Sequence, residues 1–319
     1  LFEGIEDCRP KFESAPHLFS ALDNEPIGDG AGAGIASDNP DNPFANWTKV
    51  DIPYCNQDVF IGGGVDQQFG ELGELTVPRY GAVNLRAGMR VARDIIWKYM
   101  DQEGDTGFRP DELIALFGGF SAGGNGTLYN YHWVLDDLQW PRTAAFPDAP
   151  SQLDNGSLVG VGSLGDVAIP AWGAMPYLPP YCFEGSCAVG TNIYRSISPR
   201  LLQVPEQQYL VLSNQKDDTQ RATSFFGEDE ALFVNTMRTA YCDTKDLPGI
   251  HWYLTGESKE SFHVVSIRDT FYYGDVAGER MVDWFERVIT NPESITDWAG
   301  EGEFVSAIPG VEPFPCELP

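Results

Sequence analysis

Basic residues are scarce in this chain. Its 319 residues hold 20 lysines and arginines against 47 aspartates and glutamates, for a formal net charge of −27. A surface of that sign repels nucleic acid and anionic lipid headgroups, which excludes both as partners. Long apolar runs are also missing: nothing approaches the roughly 20 residues that span a bilayer, so no membrane insertion is expected. The opening LFEGIEDCRP has neither the basic region nor the apolar core of a signal peptide. There is no C-x-x-C pair and no histidine close to a cysteine, which removes the common zinc spacings and leaves no expected metal or cofactor.

What is present is acidic and cysteine-bearing. Six cysteines, Cys8, Cys55, Cys182, Cys187, Cys242 and Cys316, are even in number and scattered, which reads as disulfides and an oxidising compartment. Cys182 and Cys187 in YCFEGSC are the pair expected to close a short loop. Asn46, Asn125 and Asn155 each begin an N-x-[ST] sequon, in keeping with a secreted, extracellular glycoprotein.

The length suits one large α/β unit, so residues 1–319 are read as a single domain. Residues 24–47 are rich in Gly, Pro, Asn and Asp and read as a polar loop. WTKVDIPY (47–54) has the β-branched and aromatic content of a strand. Residues 80–100 place Val83, Ala87, Val91, Ile95 and Tyr99 four apart, the apolar stripe of a helix. ELIALFGGF, QYLVLSNQ and GIHWYLTG are short apolar runs, the character of strands buried on both faces of a parallel sheet. GERMVDWFERVIT makes a closing helix. Strands alternating with helices predict an α/β fold, a mostly parallel central sheet flanked by helices.

Within that order, Gly119-Phe120-Ser121-Ala122-Gly123 ends one apolar strand and starts a helix. In a G-x-S-x-G turn the glycines permit a sharp strand-to-helix bend that presents the hydroxyl at the C-terminal edge of the sheet. The helix N-terminus behind it supplies amide N–H groups suited to an oxyanion. The competing reading makes Ser121 a helix N-cap and the glycines turn punctuation. A nucleophilic serine needs a base, and the chain has four histidines: His17, His132, His251 and His263. His132 lies about three turns along the same helix, out of reach of the hydroxyl. His251 sits inside an apolar strand. His17 precedes the acid candidates, whereas α/β-hydrolases run in the order Ser, acid, His. His263 follows the GIHWYLTG strand, where that order puts the base. The acid then comes from LSNQKDDTQ, as Asp217 or Asp218.

GFSAGGNGTLYNYHWV, FPDAPSQLDNGS, NQKDDTQ and SFHVVSIRDTFYYGDV, in this order across nearly the whole chain, resemble the pectin acetylesterase and Notum family of serine carboxylesterases. GIASDNPDNPFANWTKVDIPYCNQDVFIGGG is similar to a block of the family's bacterial members. The resemblance implies an α/β-hydrolase fold and a triad of Ser121, Asp217 (the first residue of D-x-x-Q, with Gln220 setting the register) and His263. It also implies oxyanion amides from Ile5, Glu6 and Ala122, and strands ahead of this motif, which would set Leu1 within the sheet. The family's oxyanion strand reads F-E-G-G-G-x-C-W, and here the run is Phe2-Glu3-Gly4-Ile5-Glu6-Asp7-Cys8, lacking the later glycines and the tryptophan. Two function classes follow. One is a secreted serine esterase acting on an O-acetylated polysaccharide or a related small ester; the other is a catalytically silent hydrolase-fold binding or structural protein.

The charge carries a prediction of its own. At −27 net, self-repulsion opposes the compact state and is relieved as the Debye length falls from about 10 Å at 0.1 M to about 3 Å at 1 M salt. The melting temperature is expected to rise between low salt and 1 M sodium chloride. A calorimetric scan showing no rise contradicts this.

Overall fold

A computed structural model describes residues 33–54, 56–69, 75–102, 113–138, 140–150, 169–180, 192–204, 207–222, 229–256, 262–302 and 305–318. In chain order these form β1 (Val65–Phe69), β2 (Leu75–Arg79), α1 (Gly81–Gln102), β3 (Ile114–Phe120), α2 (Ala122–Trp133) and β4 (Arg142–Asp148). They continue with α3 (Asn192–Leu201), β5 (Gln208–Asn214), α4 (Asp218–Ala222), α5 (Glu230–Thr244) and β6 (Ile250–Thr255). The last are β7 (Asp275–Val276), β8 (Glu279–Arg280), α6 (Met281–Thr290) and β9 (Trp298–Ala299).

Five of the strands make one parallel sheet in the order β3-β4-β5-β6-β9. Alternation along the strands sends successive side chains to opposite faces, and each face has its own apolar layer. Tyr209 and Val211 of β5 pack on one side with Leu128 and Tyr131 of α2, Ile197 of α3 and Phe233 of α5. Leu210 and Leu212 pack on the other with Phe271 and with Trp284 and Phe285 of α6. Helices on both faces of a parallel sheet give the α/β architecture that the element order predicts, and it is α/β-hydrolase-like as the resemblance implies. β5 is buried at every residue, as its unbroken apolar run requires. β3 is only half-buried, unlike the expectation for ELIALFGGF, because it pairs on one side only, with β4, among the described strands.

Two further expectations are corrected. WTKVDIPY is not a strand: its residues are mostly exposed, and among the described residues none of them pairs in a ladder. β-branched content favours extended backbone, yet a strand also needs a ladder partner, and Pro53 removes one donor. Residues 80–100 do form α1, but Val91, Ile95 and Tyr99 are 58, 62 and 64% exposed, while Ala82 and Leu85 are buried and Met89 packs on the core. A step of four residues advances about 40° beyond a full turn, so five positions four apart wind around the helix rather than lining one face. The buried side is completed by guanidinium groups: Arg86 and Arg90 both lie over the Trp133 ring.

Of the cysteines, Cys242 on α5 and Cys316 near the C-terminus form a disulfide across 74 residues. The expected Cys182–Cys187 pairing lies outside the described residues. Asn125 is 4% exposed inside α2, so the folded chain presents no glycan acceptor there, whereas Asn46 is exposed.

The 74-residue loop gives a test. Restraining it in the unfolded chain is worth about 4 kcal/mol, so Cys242→Ser, or reduction, is expected to lower the unfolding free energy extracted from urea titration by an amount of that order. Thiol titration of the unfolded, non-reduced protein that finds all six cysteines free rules the bond out.

Candidate active site

The C-terminal ends of parallel strands gather at one edge of the sheet, where loops are free to carry chemistry. Ser121 follows β3 directly, with φ 54° and ψ −112°, a backbone conformation that costs a non-glycine residue on the order of 1–3 kcal/mol. The turn is pinned from both sides. The Ser121 N–H donates to the Asp148 carbonyl at 2.9 Å, and the Ser121 carbonyl accepts from Asn125 N–H at 3.1 Å as α2 begins. A side chain at Gly119 would collide with the Gly123 carbonyl, so the strand and helix approach this closely only because glycine stands there. Ser121 occupies the N-cap position of α2, but its hydroxyl makes no capping hydrogen bond. Ala122 follows as the first residue of α2, so its N–H belongs to the donors that a helix leaves without an internal acceptor.

Asp217 lies three residues beyond β5 and its side chain is fully buried. Both carboxylate oxygens face the His263 ring: Nδ1 is 2.8 Å from Oδ2 and 3.0 Å from Oδ1. The same oxygens accept from the Gln220 backbone N–H and from its side-chain amide, each at 2.9 Å. With every donor aimed at it, the carboxylate is held in one orientation, and Nδ1 of His263 carries its hydrogen toward Asp217. Gln220 therefore does more than mark the register of D-x-x-Q. Asp218 turns away, paired with Arg221 at 2.7 Å, its side chain about half-exposed.

His263 occupies the loop after β6, its side chain largely covered. Its Nε2 is buried and makes no hydrogen bond in this structure, to Ser121 Oγ or to any other described group. Val264, next in the chain, has φ 61°, a left-handed conformation that a β-branched residue rarely adopts. Arg268 donates back to the carbonyls of His263 and Val264, closing the loop on itself.

The remaining histidines are placed otherwise. His132 is buried in α2, and burial lowers its pKa to about 4. His251 on β6 bonds the Gln208 side chain at 2.8 Å and is likewise lowered to about 4 by burial. Both are neutral structural residues at neutral pH. His17, Ile5 and Glu6 lie outside the described residues. Among the described residues no group of three His, Cys, Asp or Glu side chains is placed to hold a metal ion, and no helix is long and apolar enough to cross a membrane.

One participant in this edge is absent from the sequence reading. Asp148, the last residue of β4, is fully buried and joins the Ser121 turn to the His263 loop through both its backbone and its side chain. The available signal was an aspartate between two prolines, FPDAP, at the end of an apolar run; such a residue reads as turn chemistry.

No protein-family model matches the sequence, and neither does any curated protein. Solved structures do match in fold. Two crystal forms of the Wnt deacylase Notum from Drosophila superpose with a TM-score of 0.65 each, at 16% and 15% identity. The matches cover 93% and 92% of this chain and 83% of theirs. At that identity the likeness is one of fold: this chain has the α/β-hydrolase-like fold of Notum.

Proposed function

We propose that the protein is a serine carboxylesterase in which Ser121 is the nucleophile, His263 the general base and Asp217 the orienting acid. The observation that carries this reading is the buried Asp217 carboxylate on Nδ1 of His263, which leaves Nε2 as the ring's proton acceptor. An uncapped, strained serine at the same sheet edge supports it. The motif order shared with the pectin acetylesterase and Notum family points the same way, and the closeness to bacterial members over residues 34–64 rests on that order alone.

The chemistry follows the acyl-transfer pattern. Ser121 Oγ attacks the ester carbonyl while His263 Nε2 takes its proton, and Asp217 stabilises the resulting imidazolium. Negative charge developing on the carbonyl oxygen is met by the Ala122 amide at the α2 N-terminus, with the Ile5 and Glu6 amides as the resemblance implies. The imidazolium then protonates the departing alkoxide as the acyl-enzyme forms. Water, activated by the same ring, attacks the acyl carbon and regenerates the Ser121 hydroxyl.

The substrate we infer is an acetyl ester on a neutral polysaccharide, or a small ester of similar shape. The net charge of −27 disfavours tight binding of de-esterified, anionic pectin unless salt screens it. Deacylation, the activity by which the Notum structures are named, belongs to the same reaction class. The acidic, disulfide-bonded single domain is that of a secreted protein.

Hydrolysis of p-nitrophenyl acetate checks the acid assignment. Asp217→Asn is expected to lower kcat by roughly 10⁴ while the fold persists, because the amide favours the wrong tautomer of His263. Asp218→Asn, which weakens a partly exposed pair with Arg221 and leaves the His263 contact intact, is expected to stay within about twofold of wild type, as removal of such ion pairs costs little. The reverse ranking contradicts the assignment. A preference for long-chain over acetyl esters counts against an acetylesterase.

A further inference from the structure

We propose that Asp148 is a positioning residue that sets the His263 loop against the Ser121 turn. The inference rests on the esterase reading for its kinetic consequence and on geometry alone for its structural one.

Asp148 ends β4 beside Phe120, its partner in the β3–β4 register. Its main-chain carbonyl accepts the Ser121 N–H at 2.9 Å. Its carboxylate reaches the other way, 117 residues along the chain, and accepts the Val265 N–H at 2.9 Å on Oδ2 and 3.1 Å on Oδ1. Oδ2 also accepts the Ser266 N–H at 2.8 Å and the Ser266 hydroxyl at 2.6 Å. One residue therefore holds the nucleophile's turn by its backbone and the base's loop by its side chain. Any rotation of the loop that moves His263 breaks these bonds, since Val265 is two residues from the imidazole.

The left-handed Val264 between them needs such a restraint. A β-branched residue at φ 61° persists only where the surroundings over-determine it. The Asp148 carboxylate restrains it from one side. From the other, the Ser266 carbonyl accepts the Ile35 N–H at 2.8 Å, and a side chain at Gly34 would collide with that carbonyl. Burial pushes the Asp148 carboxyl up to about 6, against three donors that favour its ionised form. With three donors aimed at it the carboxylate acts as an acceptor, a buried polar group kept at a cost to folding, which fits a positioning task better than a stabilising one.

Asp148→Asn removes the carboxylate while nearly conserving shape. With the amide oxygen at the Oδ2 position the three donors keep an acceptor, but a neutral and weaker one, and the NH₂ at the Oδ1 position opposes the Val265 N–H 3.1 Å away, so the restraint on the loop is weakened. The first readout is the low-field proton NMR signal of the Nδ1–H between His263 and Asp217, assigned by its loss in His263→Ala. It is expected in wild type and expected to shift or broaden by exchange in Asp148→Asn that is still folded by near-ultraviolet circular dichroism. The second is ester turnover, where kcat is expected to fall by about 10²-fold with KM within about twofold, the cost of a misplaced base. Ser266→Ala, which deletes one bond and spares the charge, is expected to shift the same signal less and to lower kcat by about 3- to 10-fold, and it serves if Asp148→Asn does not fold.

An unchanged Nδ1–H signal in folded Asp148→Asn, or in Ser266→Ala if that is the variant in hand, overturns the proposal, whatever the change in melting temperature. A wild-type protein without ester turnover, but with a signal that Asp148→Asn shifts, upholds the positioning role and removes the esterase reading instead.

Discussion

The strand-to-helix turn at Ser121 exists because no side chain stands where β3 meets α2. Gly119 allows the Gly123 carbonyl to approach its own α-carbon, and Gly124 lets α2 descend onto the Asp148 carbonyl. A Cβ at either place would lift the helix off the sheet and take the serine with it. The strain this closeness creates is visible in the backbone of Ser121 and is offset by hydrogen bonds from β4 and from the first turn of α2. The strands at this sheet edge gather around that turn: β4 supplies the carbonyl that holds it, β5 ends three residues before Asp217, and His263 follows β6.

The polar groups around the edge are organised as acceptors surrounded by donors. Asp217 receives His263 and Gln220, and Asp148 receives Val265 and Ser266, so the described side-chain and backbone donors to each buried carboxylate are an imidazole, amides and a hydroxyl. In the proposed mechanism a cation there would offset the charge that stabilises the His263 imidazolium. Arginines work elsewhere: Arg221 takes Asp218 away from the site, Arg268 closes the histidine loop, and Arg86 and Arg90 cover Trp133. With so few basic residues in the chain, such placements carry weight.

Parts of this were legible in the amino-acid order, and the divide has a physical origin. QYLVLSN is buried on both faces and so must be continuously apolar, which makes β5 readable from local composition. RTAAFPD also forms a buried strand, but Pro147 hides it; the proline sits where the recorded β4–β5 pairing is interrupted, between the Ala145 and Asp148 pairs. β9 is two residues long and owes its existence to β6, so no local pattern announces it. Within the site, chain order alone leaves Asp217 and Asp218 open, and only the motif register separates them. What separates them physically is that Gln220 and His263 both reach the first of the pair. Asp148 was not readable because its partners, two main-chain amides and one serine hydroxyl, lie more than a hundred residues away, and such donors leave no signature in sequence.

The central claim is that Ser121 is an activated nucleophile and not a turn residue in a silent scaffold. Peptide mass spectrometry after treatment with a fluorophosphonate probe addresses it directly. The account predicts one adduct per chain, on the peptide containing Ser121, formed in wild type and abolished in His263→Ala. Absence of labelling in folded wild-type protein, or labelling at the same rate without His263, would contradict it.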